Sequence, residues 1–257
     1  MLLAVDVGNT QTHIGIWNGE NLIAEWRIST DARHTSDELA LVFQQFLHFE
    51  GLSFSAQVSG VVLSSVVPSL TAAHREMVER YFHFDPVVVE PGTRTGMPIA
   101  TDNPREVGAD RIVNAVAAYS LVGGPCIVID FGTATTFDAV SEAGEYLGGA
   151  IAPGVQVSAN ALASVAAQLQ RIELVQPRSV IGRSTVESLR SGVLLGAAAM
   201  VDGMVERMQK ELGGFAALVA TGGLAPLVLA RCSVPIRHEP SLTLRGLRII
   251  YERNASH

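Results

Sequence analysis

Leu2-Leu3-Ala4-Val5-Asp6-Val7-Gly8-Asn9-Thr10-Gln11-Thr12 is an apolar strand pattern that delivers a carboxylate, then a glycine, then a run of amide and hydroxyl side chains. The same order returns at Cys126-Ile127-Val128-Ile129-Asp130-Phe131-Gly132-Thr133-Ala134-Thr135-Thr136, with Gly two residues after Asp and Thr four after Gly in both copies. The likeness runs on past the turn. A second run follows each (His13 to Trp17, Phe137 to Val140), then a Gly-Glu turn (Gly19-Glu20, Gly144-Glu145), then a third run (Leu22 to Ala24, Tyr146 to Gly148). The repetition predicts an α/β chain of two similar halves, 1–121 and 122–257, each a mixed sheet flanked by helices.

A strand ending in Gly and small polar residues lets backbone N–H groups converge with no side chain in the way, so such a turn can cradle phosphate oxygens. The adjacent carboxylate would repel a phosphate unless a cation lay between them, which points to a metal-bound nucleotide. A single D-x-G-x-x-x-T is also an ordinary strand-to-turn sequence. Two copies with matching flanks carry the reading further. Neither turn contains a lysine, which excludes a Walker-type loop.

The net charge of −7 argues against duplex nucleic acid as a partner, which would require a basic stripe. With 48% hydrophobic and 17% charged residues and no low-complexity tract, the chain is an ordered globular protein. No signal peptide is expected at the first residues, and the longest apolar run, Gly192 to Val201, is short for a membrane span, so a cytoplasmic protein without a membrane partner is expected. Cys126 and Cys232 have no metal-ligand spacing and read as buried thiols.

Between the two turns, Thr35 and Glu38 form a capping-box pattern opening a helix with Leu39, Val42, Phe43, Phe46 and Leu47 on one face. Gly60 to Val67 reads as a strand closed by Pro68, Ser69 to Phe82 as a helix, and Pro86 to Glu90 as a short strand. Asn103, Pro104 and Glu106 open a short turn running into a helix through Tyr119, with Asp110 and Arg111 near its start. An adjacent Asp-Arg pair is commonly a surface ion pair or cap. Its place at the close of the first half suggests instead a cleft bordered by Asp6, Asp110 and Asp130, a set suited to phosphoryl transfer. In the second half a helix is expected over Val155 to Leu169, and Ser184 or Thr185 caps a long apolar helix to about Leu212. The small residues Gly192, Gly196, Ala197 and Ala198 predict close helix packing there, part of it facing another subunit. Ala216 to Ala220 reads as a strand ending at Thr221-Gly222-Gly223, and Leu242 to Tyr251 as a closing helix.

These turns together resemble the acetate and sugar kinase, heat-shock ATPase and actin superfamily, whose duplicated ribonuclease-H-like halves clasp a nucleotide. Within it, five motifs in order resemble those of type III pantothenate kinases: Asp6-Val7-Gly8-Asn9-Thr10, Asn103-Pro104 with Gly108-Ala109-Asp110-Arg111, Asp130-Phe131-Gly132-Thr133-Ala134-Thr135, Gly148-Gly149 with Pro153-Gly154, and Thr221-Gly222-Gly223. The resemblance implies an actin-like ATPase fold and ATP-dependent phosphorylation of the terminal hydroxyl of pantothenate to 4'-phosphopantothenate, the first step of coenzyme A synthesis. It implies that Asp6, Val7, Gly8, Asn9, Thr10, Gln11, Thr12 and His13 hold ATP, with Asp6 near Mg2+, and that Thr133 touches ATP. Gly108, Ala109, Asp110, Arg111 and Thr185 would meet pantothenate, with Asp110 as general base, and Asp130 would bind K+ or NH4+. It further implies a homodimer that completes the substrate site across its interface. The rival readings are another small-molecule kinase of the superfamily, which would lack the Gly-Ala-Asp-Arg segment, and a non-catalytic regulatory accessory protein, which would have no use for the three carboxylates.

Overall fold

The structure, a computed structural model, describes residues 1–53, 57–165 and 172–255. The chain forms two compact units. The first comprises Met1–Pro98, Asp102–Ala117 and Leu242–His257, and the second Ile99–Thr101 and Ala118–Ser241.

The first unit holds a five-stranded sheet in the order β3-β2-β1-β4-β5. Strands β1 (Leu2–Val7), β2 (Gln11–Asn18) and β3 (Asn21–Ser29) form an antiparallel meander, and β4 (Gly60–Ser65) and β5 (Val87–Val88) run parallel to β1. Nearly every residue of β1 is buried, because helices cover both faces. On one face lie α1 (Ser36–Phe49) and α2 (Pro68–Phe82), whose Phe43, Leu47, Leu70 and Met77 pack with Leu3, Val5, Ile14 and Leu63. The capping box forms: the Thr35 hydroxyl accepts from the Glu38 N–H at 3.3 Å, and the Glu38 carboxylate accepts from the Thr35 N–H at 2.9 Å.

The opposite face is covered by the closing helix Leu242–Asn254, in contact with β1, β2 and β4. A contiguous division at 121/122 assigned that helix to the second half. It packs in the first because β2 and β4 open to receive it: a Cβ at Gly15 would lie 2.6 Å from Leu244, and one at Gly60 1.9 Å from the Tyr251 hydroxyl. The 3-10 turn Pro104–Glu106 precedes α3 (Ala109–Val122), capped by Asn103 as the sequence predicts, and the division between units falls within α3. The strand read over Pro86 to Glu90 shortens to two paired residues.

The second unit repeats the plan with a sheet in the order β10-β9-β6-β7-β8. Here β6 (Cys126–Phe131), β7 (Ala134–Val140) and β8 (Tyr146–Pro153) make the meander, while β9 (Ala217–Thr221) and β10 (Arg237–His238) run parallel to β6. Strand for strand, the order and the directions match the first unit, so the duplication is one of topology as well as of motif. Strand β10, which sequence patterning did not single out, completes the match.

Helix α4 (Val155–Val165), the 27-residue helix α5 (Thr185–Glu211), which contains a π-helical turn at Ser191–Leu195, and α6 (Ala225–Leu229) complete this unit. The expected extension of α4 beyond residue 165 falls outside the described residues. By length and composition alone α5 could cross a membrane, with a mean hydropathy of 1.2 in its most apolar window. Its Leu194, Ala198, Val201 and Val205 are buried in a core with Ile129, Phe137 and Ala220. Gly192 and Gly196 do not mediate close packing within the chain, since a Cβ on either would meet open space. The closing helix is α7 (Leu242–Asn254).

Candidate active site

In the first unit the β1–β2 turn is tight: the Gly8 N–H donates to the Gln11 carbonyl at 3.1 Å, leaving Asn9, Thr10 and Gln11 exposed at the tip. Thr12 and His13 already belong to β2. Thr12 is buried, and its hydroxyl pairs with that of Thr30 at 3.0 Å. His13 Nε2 lies 3.1 Å from a Glu25 carboxylate oxygen. Burial, reinforced by the Arg27 charge, pushes the His13 pKa down to about 4, so at neutral pH this contact is a hydrogen bond from a neutral imidazole rather than an ion pair.

Asp6, the penultimate residue of β1, lies opposite His13 on β2 and Ser64 on β4. The Ser64 hydroxyl donates to Asp6 Oδ1. Burial raises the Asp6 pKa to about 7 despite that bond, and the charge of Asp110 adds to the rise. Asp110 itself sits in the first turn of α3, where it accepts from the Arg111 N–H at 2.9 Å, and burial lifts its pKa above the ordinary carboxylate range. Gly108 makes this possible, since a Cβ there would stand 2.5 Å from Asp110 Oδ1. The first unit therefore brings two buried carboxylates within electrostatic reach beside a glycine turn. Among the described residues no group of three or more His, Cys, Asp or Glu side chains is arranged to hold a metal. A pair of carboxylates suits Mg2+, which keeps waters and substrate phosphates in its remaining positions.

The second unit presents the counterpart. Asp130, the penultimate residue of β6, lies opposite Thr136 on β7 and Thr221 on β9, the register that Asp6 holds to His13 and Ser64. The Gly132 N–H donates to the Ala134 carbonyl at 3.0 Å, and Thr133 is exposed at the tip. Two glycines of the later motifs are explained by approach to this turn. A Cβ at Gly154 would lie 2.1 Å from the Thr133 carbonyl oxygen, and at Gly222, whose φ of +96° already favours glycine, 2.6 Å from the Phe131 backbone. Register sets Thr136 and Thr221 on either side of Asp130, the Thr136 hydroxyl donating to Asp138 at 3.2 Å, and the Asp130 carboxylate is an oxygen donor of the kind that suits a hard cation.

A family model described as type III pantothenate kinase matches residues 2–207. The type III pantothenate kinase of Streptomyces griseus is 54% identical over 263 aligned residues, covering 100% of this chain and 99% of the relative. The chain belongs to the type III pantothenate kinase family. It is an enzyme, a kinase that phosphorylates pantothenate in coenzyme A synthesis. At the level of fold it is similar to component A of the (R)-2-hydroxyglutaryl-CoA dehydratase of Acidaminococcus fermentans, with a TM-score of 0.59, 16% identity and 99% coverage of both chains. It is also similar to a polyphosphate/ATP-glucomannokinase from Arthrobacter, with a TM-score of 0.50, 13% identity and coverage of 100% and 99%. The duplicated fold is that of the actin-like ATPases.

For this pantothenate kinase, sequence reasoning missed Ser64, the hydroxyl bonded to Asp6. The duplication held a signal for it, because Ser64 and Thr221 stand opposite Asp6 and Asp130 on corresponding strands. Thr185 begins α5, exposed, with Ser184 as the actual N-cap accepting from the Glu187 N–H at 3.3 Å. Cys126 is buried and Cys232 half-buried, and burial pushes their thiols up to about 12 and about 11.

Proposed function

We propose that Asp110 is the general base that takes the proton from the pantothenate hydroxyl during phosphoryl transfer. The supporting observation is its buried carboxylate at the start of α3, lifted above the ordinary range and within reach of Asp6. A base with a raised pKa accepts a proton more readily near neutrality. Gly108, Ala109 and Arg111 bind pantothenate around it, and the arginine supplies positive charge for the substrate carboxylate.

Asp6, with the turn Val7 to His13, holds the ATP phosphates and Mg2+, the hydroxyl of Ser64 fixing the Asp6 rotamer. Within that stretch the exposed tip Asn9, Thr10 and Gln11 meets the phosphates, while Thr12 and His13 hold the turn through Thr30 and Glu25. Thr133 contacts ATP and Asp130 holds K+ or NH4+. Bound cations supply the positive charge that offsets the phosphates, an important contribution in a chain whose sequence contains one lysine, Lys210.

The functional form is a cytoplasmic homodimer, without nucleic-acid or membrane partners. What supports the dimer is a groove of about 440 Å³ between α4 and α5, lined by Val155, Leu162, Leu189, Val193 and Met200. Leu162 is exposed there, and Gly192 and Gly196, which also line the groove, leave room for a second copy to approach. Thr185, at the start of α5, reaches the partner's pantothenate. Light scattering of Leu162→Glu against the parent chain tests the dimer: a monomeric variant supports it, and an unchanged mass contradicts it.

The test of the base is Asp110→Asn, measured in single turnover with saturating MgATP and pantothenate. The variant should fold and lose about 10² to 10⁴ in rate, the scale of a positioned base. Wild-type turnover would remove Asp110 from the role.

A further inference from the structure

The helix α7 touches the chain on both sides of the Gly108–Arg111 segment. On the C-terminal side, the Thr243 hydroxyl donates to Asn114 Oδ1 at 2.7 Å, and both residues are buried. Asn114 stands four residues after Asp110 on α3, one turn along the same side. Beside that bond, Gly246 lets the two helices meet at backbone distance: a Cβ there would lie 2.1 Å from the Val113 carbonyl oxygen. Position and rotation of the first turn of α3 are thus fixed from α7.

On the N-terminal side, the last turn of α7 grips the loop that follows β5. The Asn254 amide makes two bonds to the backbone of Arg94, accepting from its N–H at 3.2 Å and donating to its carbonyl at 3.0 Å. A third bond, to the Ile250 carbonyl at 2.7 Å, fixes that amide on its own helix. Arg253 donates to the next carbonyl, of Thr95, and its guanidinium lies over Gly96, where φ is +71° and a Cβ would clash at 1.9 Å. Thr95 in turn braces Met97, which is buried. Burying a helix needs no such paired recognition of a loop backbone, since apolar contact alone would dock α7 on the sheet.

We propose that Thr243, Arg253 and Asn254 of α7 are positioning residues for pantothenate: they set the place of the Asp110-bearing turn and of the 94–97 loop, and thereby the affinity for the acceptor substrate. The inference rests on the reading of Gly108–Arg111 as the pantothenate segment. It adds that acceptor binding is controlled from a helix nearly 130 residues away in sequence, the separation of Asn114 and Thr243 being 129.

The test compares Asn254→Ala and Thr243→Val with the parent full-length chain, by steady-state kinetics in each substrate and by amide hydrogen exchange. KM for pantothenate should rise about five- to tenfold in Thr243→Val, the factor expected for one lost hydrogen bond, and at least as much in Asn254→Ala, which loses both bonds to the Arg94 backbone, while KM for ATP stays within about twofold in each. Exchange should quicken at 94–97 in Asn254→Ala and at 110–113 in Thr243→Val, and Thr243→Ser should restore both readouts. A purely structural role would lower the active fraction and leave KM for pantothenate unchanged, even where exchange quickens, and that result would overturn the proposal. Asn254 lies in the last turn of its helix, so its variant keeps the test available should Thr243→Val fail to fold. Failure of the underlying reading is separately visible: Asp110→Asn and Arg111→Ala would then retain parent kinetics, whatever the α7 variants do.

Discussion

Asp6→Asn tests whether the first turn, above about pH 7, carries a desolvated negative charge that a bound cation would relieve. The substitution keeps an oxygen to accept from the Ser64 hydroxyl and removes the buried charge next to Asp110. A carboxyl whose folded pKa exceeds its unfolded value binds its proton more tightly in the folded chain. The stability it contributes is therefore fully present below 3.8 and is lost as pH rises toward about 7. The rise from 3.8 to about 7 corresponds to at most about 4 kcal/mol at pH 8. Because part of it is shared with Asp110 and relieved by local relaxation, about 1–2 kcal/mol is the expected gain on removing the charge. For a chain of this size that is a rise in Tm of about 3–6 °C. Thermal unfolding of the full chain in metal-free buffer should show Asp6→Asn melting above the parent by this amount at pH 8, with the gap narrowing toward pH 5. Adding MgATP should reverse the order, since ligand stabilisation by mass action is available only to the parent. A variant less stable than the parent at pH 8 without metal or nucleotide would refute the reasoning.

Three other substitutions separate structural from functional roles. His13→Gln should flatten the acid limb: His13 stays neutral in the fold, so its contribution is present above 6.5 and lost as pH falls toward about 4. The slope of stability over that range should drop by up to about 1.4 kcal/mol per pH unit, read from denaturant titrations, and an unchanged slope would contradict it. Thr12→Val should lower stability by about 1 kcal/mol through the lost Thr30 contact, with KM for ATP unaltered, and a changed KM would make Thr12 a ligand of the nucleotide. Gly154→Ala drives a methyl toward the Thr133 carbonyl and should cost about 1–3 kcal/mol with a matching loss of ATP affinity by calorimetry, whereas parent affinity would detach that turn from the nucleotide.

The two meanders and their carboxylates were legible because each strand reports its burial locally: an apolar run delivering Asp6 or Asp130 reads the same in isolation as in the sheet. The capping box at Thr35 and the Asn103 cap are local for the same reason. What the sequence hid is non-local. The ownership of α7 depends on Gly15 and Gly60, single glycines far from it in the chain, and Ser64 matters only because β4 lies parallel to β1 in a register that sets it against Asp6. Thr12 reads as a turn residue and His13 as the start of the next run, yet β2 already begins at Gln11, and the two side chains are bonded to Thr30 and Glu25. The short β10 pairs through two residues, too few to leave a periodic signal.

The most direct test of the account is transfer of phosphate from ATP to pantothenate by the parent chain and by Asp130→Asn, with Mg2+ present and K+, NH4+ or Na+ as the sole monovalent cation, read as product mass. The account predicts phosphopantothenate from the parent in K+ or NH4+, little in Na+, and a variant that no longer distinguishes the salts. Bound ATP without phosphopantothenate in any salt would contradict the catalytic assignment, and equal turnover of the parent in all three would remove the cation from Asp130.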